Sequence, residues 1–345
     1  MVNSMMKVVP VREAVGEVLC HDITRIVPGR FKGRAYKKGH IIKRDDIPDL
    51  LNIGKEHIYI LNLDKKNVHE NQAAERISRA TAGQGISFTE PSEGRINMTA
   101  QFNGLLKVNQ KALYKVNAMG EIVLTTLHNN QEVYTEQPLA GTRIIPLYIK
   151  EKKLQWIEKF CRDNGPIVEI KPFRNFNVGL VVTGSEVYHK RIKDKFGPVV
   201  RSKFDKLGSH VTETIFVSDD PAMTVAAIHS LVNKNVDMVV LTGGMSVDPD
   251  DQTPAAIRQS GAKTVLYGAP TFPGAMFMLS YLGEVPVIGL PGCVMYHKAT
   301  IFDLVIPRLL AGEAVTESDI INLGHGGFCA GCAECRFPLC GFGKG

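Results

Sequence analysis

The second half of the chain predicts an α/β fold with a doubly wound parallel sheet, preceded by a smaller N-terminal region of mixed α+β and β-rich character. The main observation is that short apolar runs alternate with helix-like segments from Asn177 onwards. The runs are rich in β-branched residues and lack polar alternation, which is typical of strands buried on both faces. Strands separated by helices in this way form a parallel sheet with helices on both sides.

Local signals place the elements of this half. Predicted strands cover 178–182, 211–217, 236–241, 263–266 and 285–288, and predicted helices cover 198–207, 220–234, 253–260 and 295–310. Gly208 and Gly261 follow two of the helices, as glycine often does at a helix end. Asp220-Pro221 and Thr253-Pro254 begin two others, because each pair supplies an N-cap side chain and a proline at the first helical position.

Composition and turn signals divide the 345 residues into five predicted parts. They are an N-terminal α+β region (1–85), a small β-rich module (86–150), a helix and linker (151–176), the α/β domain (177–315) and a cysteine-rich tail (316–345). The apolar fraction of 44% is that of an ordinary globular protein, so each larger part can bury a core.

Charge and hydropathy exclude several classes of partner. The net charge is +6, and much of it lies in two clusters, 30–44 and 190–206, without the interleaved aromatic residues of a single-strand nucleic-acid platform. We therefore expect solvated faces and no nucleic-acid partner, although the second cluster is also suited to attract a small anionic ligand.

No run approaches the roughly 18 apolar residues of a membrane span, and no leader pattern opens the chain. We expect no membrane partner and a cytoplasmic location.

Three glycine-bearing loops follow predicted strands, at 183–186, 242–251 and 289–292. In the second loop, a strand leads into Gly243-Gly244, a hydroxyl at Ser246, then acids and a helix. Glycines let backbone N–H groups approach an anion, and carboxylates can hold a divalent cation, so this order suits a phosphorylated ligand. The alternative is that Gly243-Gly244 only turns the chain. Ligands of open α/β sheets bind beyond the C-terminal ends of the strands, where all three loops lie, and this agreement favours the binding interpretation.

Residues 177–311 resemble the molybdopterin-binding domain shared by molybdenum cofactor biosynthesis proteins of the adenylyltransferase and molybdenum insertase types. The segments that carry the resemblance are Thr-Gly-Ser-Glu (183–186), Arg201-Ser202, Ser218-Asp219-Asp220, Thr-Gly-Gly-Met-Ser-Val (242–247) with Asp251, and Gly-Leu-Pro-Gly (289–292). Residues 9–14 and 21–23 also look like the opening of the insertase type, which is therefore the nearest type.

The resemblance implies roles for individual residues. Asp251, Glu186 and Asp219 would be the catalytic acids, with Asp251 and Glu186 holding Mg²⁺. The residues that would contact molybdopterin or its phosphate are Thr183, Gly184, Ser185, Ser202, Thr242, Gly243, Gly244, Ser246, Pro291 and Gly292.

The function that the resemblance implies is a transferase reaction. The insertase type transfers molybdenum from molybdate to adenylated molybdopterin with release of AMP, and it suggests a homodimer that serves a molybdenum enzyme. The alternative is a non-catalytic molybdopterin binder, chaperone or sensor. The chain departs from the family pattern at Ala275, where the family has lysine, and at Lys203 and Cys293, where it has asparagine.

Four of the seven cysteines form a Cys-x2-Cys-x2-Cys-x4-Cys run at Cys329, Cys332, Cys335 and Cys340. In a cytoplasmic chain this spacing favours a metal over disulfides. An iron–sulfur cluster and a four-cysteine Zn²⁺ site are both compatible with it, and a metal-free glycine-rich tail is the third interpretation. Cys20 and Cys161 are expected to be small buried residues.

Overall fold

The structure is a computed structural model that describes residues 6–27, 31–61 and 66–345; Arg30, at the start of the first basic cluster, lies outside them. The strands are β1 (Met6–Pro10), β2 (Ile23–Val27), β3 (Phe31–Tyr36), β4 (His57–Leu61), β5 (Asn67–His69), β6 (Ile86–Phe88), β7 (Arg95–Ala100), β8 (Gly104–Val108), β9 (Ile122–Thr126), β10 (Gln131–Val133), β11 (Pro138–Ile144), β12 (Tyr148–Lys150), β13 (Val168–Pro172), β14 (Asn177–Thr183), β15 (His210–Val217), β16 (Met238–Thr242), β17 (Lys263–Tyr267), β18 (Met278–Leu282) and β19 (Val285–Leu290).

The α-helices are α1 (Asp46–Asn52), α2 (Glu70–Thr81), α3 (Gln110–Asn117), α4 (Glu151–Asn164), α5 (Ser185–Tyr188), α6 (Phe196–Lys206), α7 (Pro221–Asn233), α8 (Thr253–Gln259), α9 (Ile301–Leu310) and α10 (Glu317–Ile321). Short 3₁₀ helices cover Val11–Glu13, Gly292–Met295 and Asn322–Gly324. The chain divides into two units. The first comprises the described residues of 1–99, 109–126 and 138–168, and the second comprises 100–108, 127–137 and 169–345. The five-part division of the sequence stays a prediction.

A six-stranded sheet organises the second unit, with strand order β15-β14-β16-β19-β18-β17. The first four strands are parallel, and β18 and β17 continue the sheet as antiparallel strands. Because alternate residues of a strand face opposite sides, Leu180 and Val240 pack into one core with α6 and α9, whereas Val181 and Val239 pack into another with α7 and α8. Helices therefore cover both faces, and the predicted doubly wound α/β class is confirmed.

A second, three-stranded sheet of order β10-β8-β13 completes the second unit. Its middle strand is tied to the end of α9, because the Lys107 ammonium lies 2.5 Å from the Glu313 carboxylate. The same carboxylate accepts a hydrogen bond from Arg308 at 2.9 Å, and these two cations hold the pKa of Glu313 below its usual range despite its burial.

The first unit is the smaller, β-rich N-terminal region. It contains an antiparallel sheet of order β6-β7-β11-β9 and three pairs of strands. Its two longest helices, α2 and α4, are joined by Arg76, whose guanidinium lies 2.7 Å from the carboxylates of both Glu151 and Glu158. The segment before β5 has its own core, in which Val11, Leu50 and Ile58 are buried.

The structure corrects one helix boundary in the last third of the chain and adds one strand. The helix predicted at 295–310 begins only at Ile301, because Thr300 caps it through a capping box with Asp303 and Gly292–Met295 forms a separate 3₁₀ helix. The strand predicted at 263–266 is confirmed as β17, but it pairs with β18, an antiparallel strand that the sequence analysis did not identify. Within the described residues, no helix combines the length and apolar character needed to cross a membrane.

Candidate functional site

Loops at the C-terminal ends of β16 and β19 enclose a cavity of about 580 Å³ in the second unit. We call it the glycine-loop cavity; its lining is Gly243–Ser246, Asp251, Phe272–Met276 and Leu290–Cys293. The predicted binding residues Gly243, Gly244, Ser246, Pro291 and Gly292 and the predicted acid Asp251 therefore surround one space. Parallel β16 and β19 are neighbours in the sheet, so their C-terminal loops meet at the same edge.

The conformation of the glycine loop depends on the absence of side chains at two positions. Gly243 has φ +90°, and a Cβ atom there would lie 2.3 Å from the carbonyl oxygen of Thr183. Gly244 has φ +57°, and a Cβ atom there would lie 2.8 Å from the Thr253 hydroxyl. Only glycine combines this backbone with these approaches. The two positions fix the path of the loop against β14 and the start of α8.

Hydrogen bonds engage the carbonyl groups of the same loop. The Thr253 hydroxyl donates to the carbonyl of Gly243 at 2.8 Å, and the Thr253 N–H donates to that of Gly244 at 3.1 Å. The Tyr267 hydroxyl donates to the carbonyl of Met245 at 3.0 Å. None of the described residues accepts a hydrogen bond from the N–H groups of Gly244, Met245 or Ser246. The loop thus presents donors without protein partners, which is the arrangement of an anion-binding backbone.

Asp251 supplies the carboxylate of the glycine-loop cavity. It is half-buried, and its N–H donates to the carbonyl of Asp248 at 2.9 Å, which closes the turn before α8. Burial raises the pKa of the nearby Tyr267 phenol, and the negative charge of Asp251 adds to this shift. An anionic ligand beside Asp251 would require a cation between them, since two negative charges in contact repel each other.

The predicted residues after β14 and β15 form a separate group. The Ser185 N–H donates to the Asp219 carboxylate at 2.9 Å, and the Glu186 carboxylate lies beside Gly184. Neither acid lines the glycine-loop cavity. Thr183 and Thr242 lie beneath both groups, buried, with the Thr183 hydroxyl donating to the carbonyl of Thr242 at 3.1 Å.

Ser202 lines a different cavity of about 640 Å³ in the second unit. We call it the tail cavity, because Cys335, Phe337 and Pro338 of the tail contribute to its wall together with β10, α6 and the segment before α9. Its remaining lining residues are Glu132, Tyr134, Pro198, Val199, Lys203, Lys206, Leu207, Met295, Tyr296, His297, Lys298, Asp303 and Pro307. The sequence analysis did not identify this cavity, because its walls come from four segments that are distant in the chain.

The cysteine tail folds against the second unit. The Phe272 N–H donates to the carbonyl of Gly327, and the Cys329 N–H donates back to the carbonyl of Phe272, both at 2.8 Å. Phe342 is buried with 4% exposure. The four thiols are free and half-buried or exposed. Within the described residues, no three His, Cys, Asp or Glu side chains gather as metal ligands, so the structure assembles neither a four-thiolate site nor a three-carboxylate site.

Two family models match parts of the chain. Residues 179–311 match a family described as "Probable molybdopterin binding domain", and residues 8–62 match a domain of unknown function. The first match includes the loops after β16 and β19, which line the glycine-loop cavity. It also includes Ser185 and Glu186 after β14 and Asp219 after β15.

Curated relatives match about a quarter of the chain. A CinA-like protein of Mycobacterium sp. strain MCS is 34% identical over 89 residues, which are 26% of this chain and 21% of that protein. A CinA-like protein of Mycobacterium tuberculosis strain H37Rv is 32% identical over 89 residues, with the same coverage. The chain thus spans 21% of the length of these relatives.

Solved structures of small proteins also align. The molybdopterin biosynthesis enzyme MoaB from Thermus thermophilus has 17% identity and a TM-score of 0.33, covering 40% of this chain and 98% of that one. The tungsten cofactor synthesizing protein MoaB from Pyrococcus furiosus has 22% identity and a TM-score of 0.28, covering 35% and 84%. The protein CinA from Thermoplasma acidophilum has 18% identity and a TM-score of 0.28, covering 34% and 89%.

The family match, the order of the loop motifs and the doubly wound sheet all concern the same part of the chain. Residues 179–311, which form the doubly wound sheet and carry the loop motifs, therefore match the family described as "Probable molybdopterin binding domain".

Proposed function

We propose that the glycine-loop cavity binds the phosphate group of molybdopterin or of adenylated molybdopterin. The observation that carries this proposal is that Gly244, Met245 and Ser246 line the cavity and that their N–H groups have no acceptor among the described residues. Backbone N–H groups that converge on one space bind phosphate oxygens without a counter-charge. A volume of about 580 Å³ is that of a small-molecule site.

The proposed reaction is the insertion of molybdenum from molybdate into the adenylated pterin, with release of AMP. Asp251 is the acid that we assign to this step, because it lines the same cavity as the residues whose N–H groups are free. Mg²⁺ commonly uses one or two protein carboxylates and completes its shell with water and substrate phosphate, so Asp251 suffices as the protein ligand. Such an ion would neutralise the pyrophosphate and lower the barrier to its cleavage.

Glu186 and Asp219 have a different part in the proposal. Asp219 is engaged by the Ser185 N–H, so it fixes the loop after β14 rather than contacting a ligand in the glycine-loop cavity. The exposed Glu186 carboxylate is the second candidate ligand of Mg²⁺, for a substrate that extends from the glycine-loop cavity towards the end of β14.

The second candidate function is that of a non-catalytic molybdopterin binder, chaperone or sensor that serves a molybdenum enzyme. Ala275 and Cys293 favour it, because both line the glycine-loop cavity and replace polar residues of the family pattern. In this function the protein would act as a cytoplasmic homodimer, and the tail would be its docking or redox element. An iron–sulfur cluster or Zn²⁺ in the tail requires its four thiols to converge, which metal analysis of the purified protein tests.

The test is a binding experiment with molybdopterin and adenylated molybdopterin, in the presence of Mg²⁺ and molybdate, that also follows AMP release. We expect both pterins to bind, and Asp251→Asn to abolish AMP release while molybdopterin still binds. Asp250→Asn is the matched control, because this neighbouring acid is exposed and does not line the cavity.

The outcomes distinguish the two functions or exclude both. Binding with AMP release supports the insertase, and binding without release by the unsubstituted protein supports the carrier or sensor. Absence of binding to either pterin would rule out both functions.

A further inference from the structure

The tail cavity contains charged groups that the proposed function does not use. One of them is already neutralised: the Lys203 ammonium donates to the Asp303 carboxylate at 2.7 and 2.9 Å and to the carbonyl of Lys298 at 2.9 Å. These contacts use all three N–H donors of the ammonium group. Lys203 and Asp303 thus neutralise each other in the lining of the cavity, and neither charge is available to a ligand.

The other cations of the tail cavity are available. The ammonium groups of Lys206 and Lys298 and the imidazole of His297 form no ion pair or hydrogen bond within the described residues. All three side chains are exposed and line the same space as the Ser202 hydroxyl. Two free ammonium groups beside a hydroxyl donor attract an anion that accepts several hydrogen bonds, and a phosphate group meets this description.

Aromatic rings form the other part of the wall. Tyr296 is 77% exposed and Tyr134 is 46% exposed, so both rings are accessible from the cavity. Phe337 of the tail also lines the cavity and contacts Phe342, with ring centroids 6.2 Å apart. Exposed rings around one space offer stacking surfaces to a planar heterocycle, and each stacked base contributes about 1–3 kcal/mol to binding.

The polar pair Glu132 and Tyr134, which lines the same cavity, can form hydrogen bonds with the edge of such a ring. The Tyr134 hydroxyl donates to the Glu132 carboxylate at 2.6 Å, and the second oxygen of this carboxylate is free to accept from an amino group. Burial raises the pKa of Glu132, although the Tyr134 hydrogen bond opposes the shift. The cavity volume of about 640 Å³ accommodates a mononucleotide.

We propose that the tail cavity binds a phosphorylated planar heterocycle of mononucleotide size. Its phosphate lies between Lys206 and Lys298, and its ring contacts Tyr296, Tyr134 and Phe337. This site is separate from the glycine-loop cavity and does not depend on the function proposed there. It also gives the tail a binding role that requires no metal. Two sources supply the same ligand chemistry, a free nucleoside monophosphate and a phosphorylated pterin.

The experiment is calorimetric titration of the full-length protein with AMP and GMP. Adenosine and ribose 5-phosphate are the matched control ligands, since one lacks the phosphate and the other lacks the ring. We expect a mononucleotide to bind, and each half-ligand to bind at least about tenfold more weakly, because phosphate and ring both contribute.

Variants then locate the site. We expect Tyr296→Ala, and separately the double variant Lys206→Ala/Lys298→Ala, to weaken mononucleotide binding about tenfold or more. Tyr114→Ala and Lys111→Ala are the controls, because Tyr114 is 76% exposed, Lys111 is exposed, and neither of these α3 residues lines the cavity. These exposed side chains leave the fold intact when truncated.

The remaining outcomes separate the two sources and the two proposals. If neither mononucleotide binds but Tyr296→Ala weakens molybdopterin binding, the ligand is the phosphorylated pterin. If binding of mononucleotides and molybdopterin is absent, or equal in the cavity variants and the α3 controls, the tail-cavity proposal is overturned. Ser246→Ala and Asp251→Asn change only the glycine-loop cavity, so a failure of the proposed function there leaves mononucleotide binding unchanged.

Discussion

The glycine-loop cavity and the tail cavity lie in the same unit but recognise ligands in different ways. The first is formed by backbone N–H groups on a loop whose path is fixed by Gly243 and Gly244. The second is formed by side chains that extend from β10, α6, the segment before α9 and the tail. A backbone site is sensitive to an atom added where the loop is closely packed, whereas a side-chain site is sensitive to removal of a particular group. The variants below test this difference.

The largest effect is expected from adding one methyl group to the glycine loop. Gly243→Ala places a Cβ atom 2.3 Å from the carbonyl oxygen of Thr183 at a φ of +90°. We expect the free energy of unfolding to fall by about 2–4 kcal/mol and molybdopterin binding to be lost. Urea denaturation and the pterin titration measure the two effects.

Gly292→Ala is the matched control on the same cavity. A Cβ atom there meets nothing within 4 Å, and the backbone is not in the left-handed region. Its unfolding free energy should change by less than about 1 kcal/mol. Equal losses in the two variants would contradict the steric explanation of the glycine loop.

The second largest effect is expected from breaking the ion pair between Lys203 and Asp303 in the lining of the tail cavity. Asp303→Asn removes the partner of Lys203, whose side chain is 11% exposed, and weakens the capping box of α9. We expect a loss of about 2–3 kcal/mol of unfolding free energy, because the ammonium group stays half-buried without its counter-charge. Chemical denaturation measures it.

Asp205→Asn is the control for this substitution. Asp205 pairs with His210 at 2.8 Å, but the side chains are 55% and 67% exposed. Solvent screens such a pair, and its loss should cost less than about 0.5 kcal/mol. A control as damaging as Asp303→Asn would show that burial does not distinguish the two pairs.

Docking of the tail should depend on one buried ring. Phe342→Ala removes a side chain that is 4% exposed, and we expect protease cleavage within residues 325–345 to become about tenfold faster, because the tail then opens more often. Limited proteolysis followed by mass spectrometry measures the rate. Phe328→Ala, at 75% exposure in the same tail, should leave the rate unchanged. Unchanged cleavage in Phe342→Ala would contradict this account of how the tail is held.

The smallest effect concerns pH. Burial raises the pKa of Glu132 above its value in the unfolded chain, with Tyr134, Asp303, Lys203 and Lys206 as the surrounding groups. The folded protein therefore binds this proton more tightly, and the contribution of Glu132 to stability falls as pH rises from the unfolded pKa through the folded pKa. We expect Glu132→Gln to show a small relative gain in stability at neutral pH that disappears in acid. A gain that grows in acid would show that the sign is wrong.

Much of the α/β architecture could be predicted from local sequence patterns. The apolar runs of β14, β16 and β19 follow from their burial on both faces. The start of α7 follows from Asp220, whose side chain accepts a hydrogen bond from the Ala222 N–H. The antiparallel β18 was not identified, because the direction in which a strand pairs depends on its neighbours rather than on its own residues.

The sequence by itself determined which residue types stand at the C-terminal ends of the strands, since glycines, hydroxyls and acids follow directly from their positions after apolar runs. Only the tertiary structure decided which of them share a space. Strand order places the loop of β16 between those of β14 and β19, whereas β15 lies at the sheet edge beyond β14, which separates Asp251 from Asp219. Ser202 joins the tail cavity because α6 packs on one face of the sheet, near the tail. Lateral order and packing depend on contacts between distant segments, and no local pattern records them.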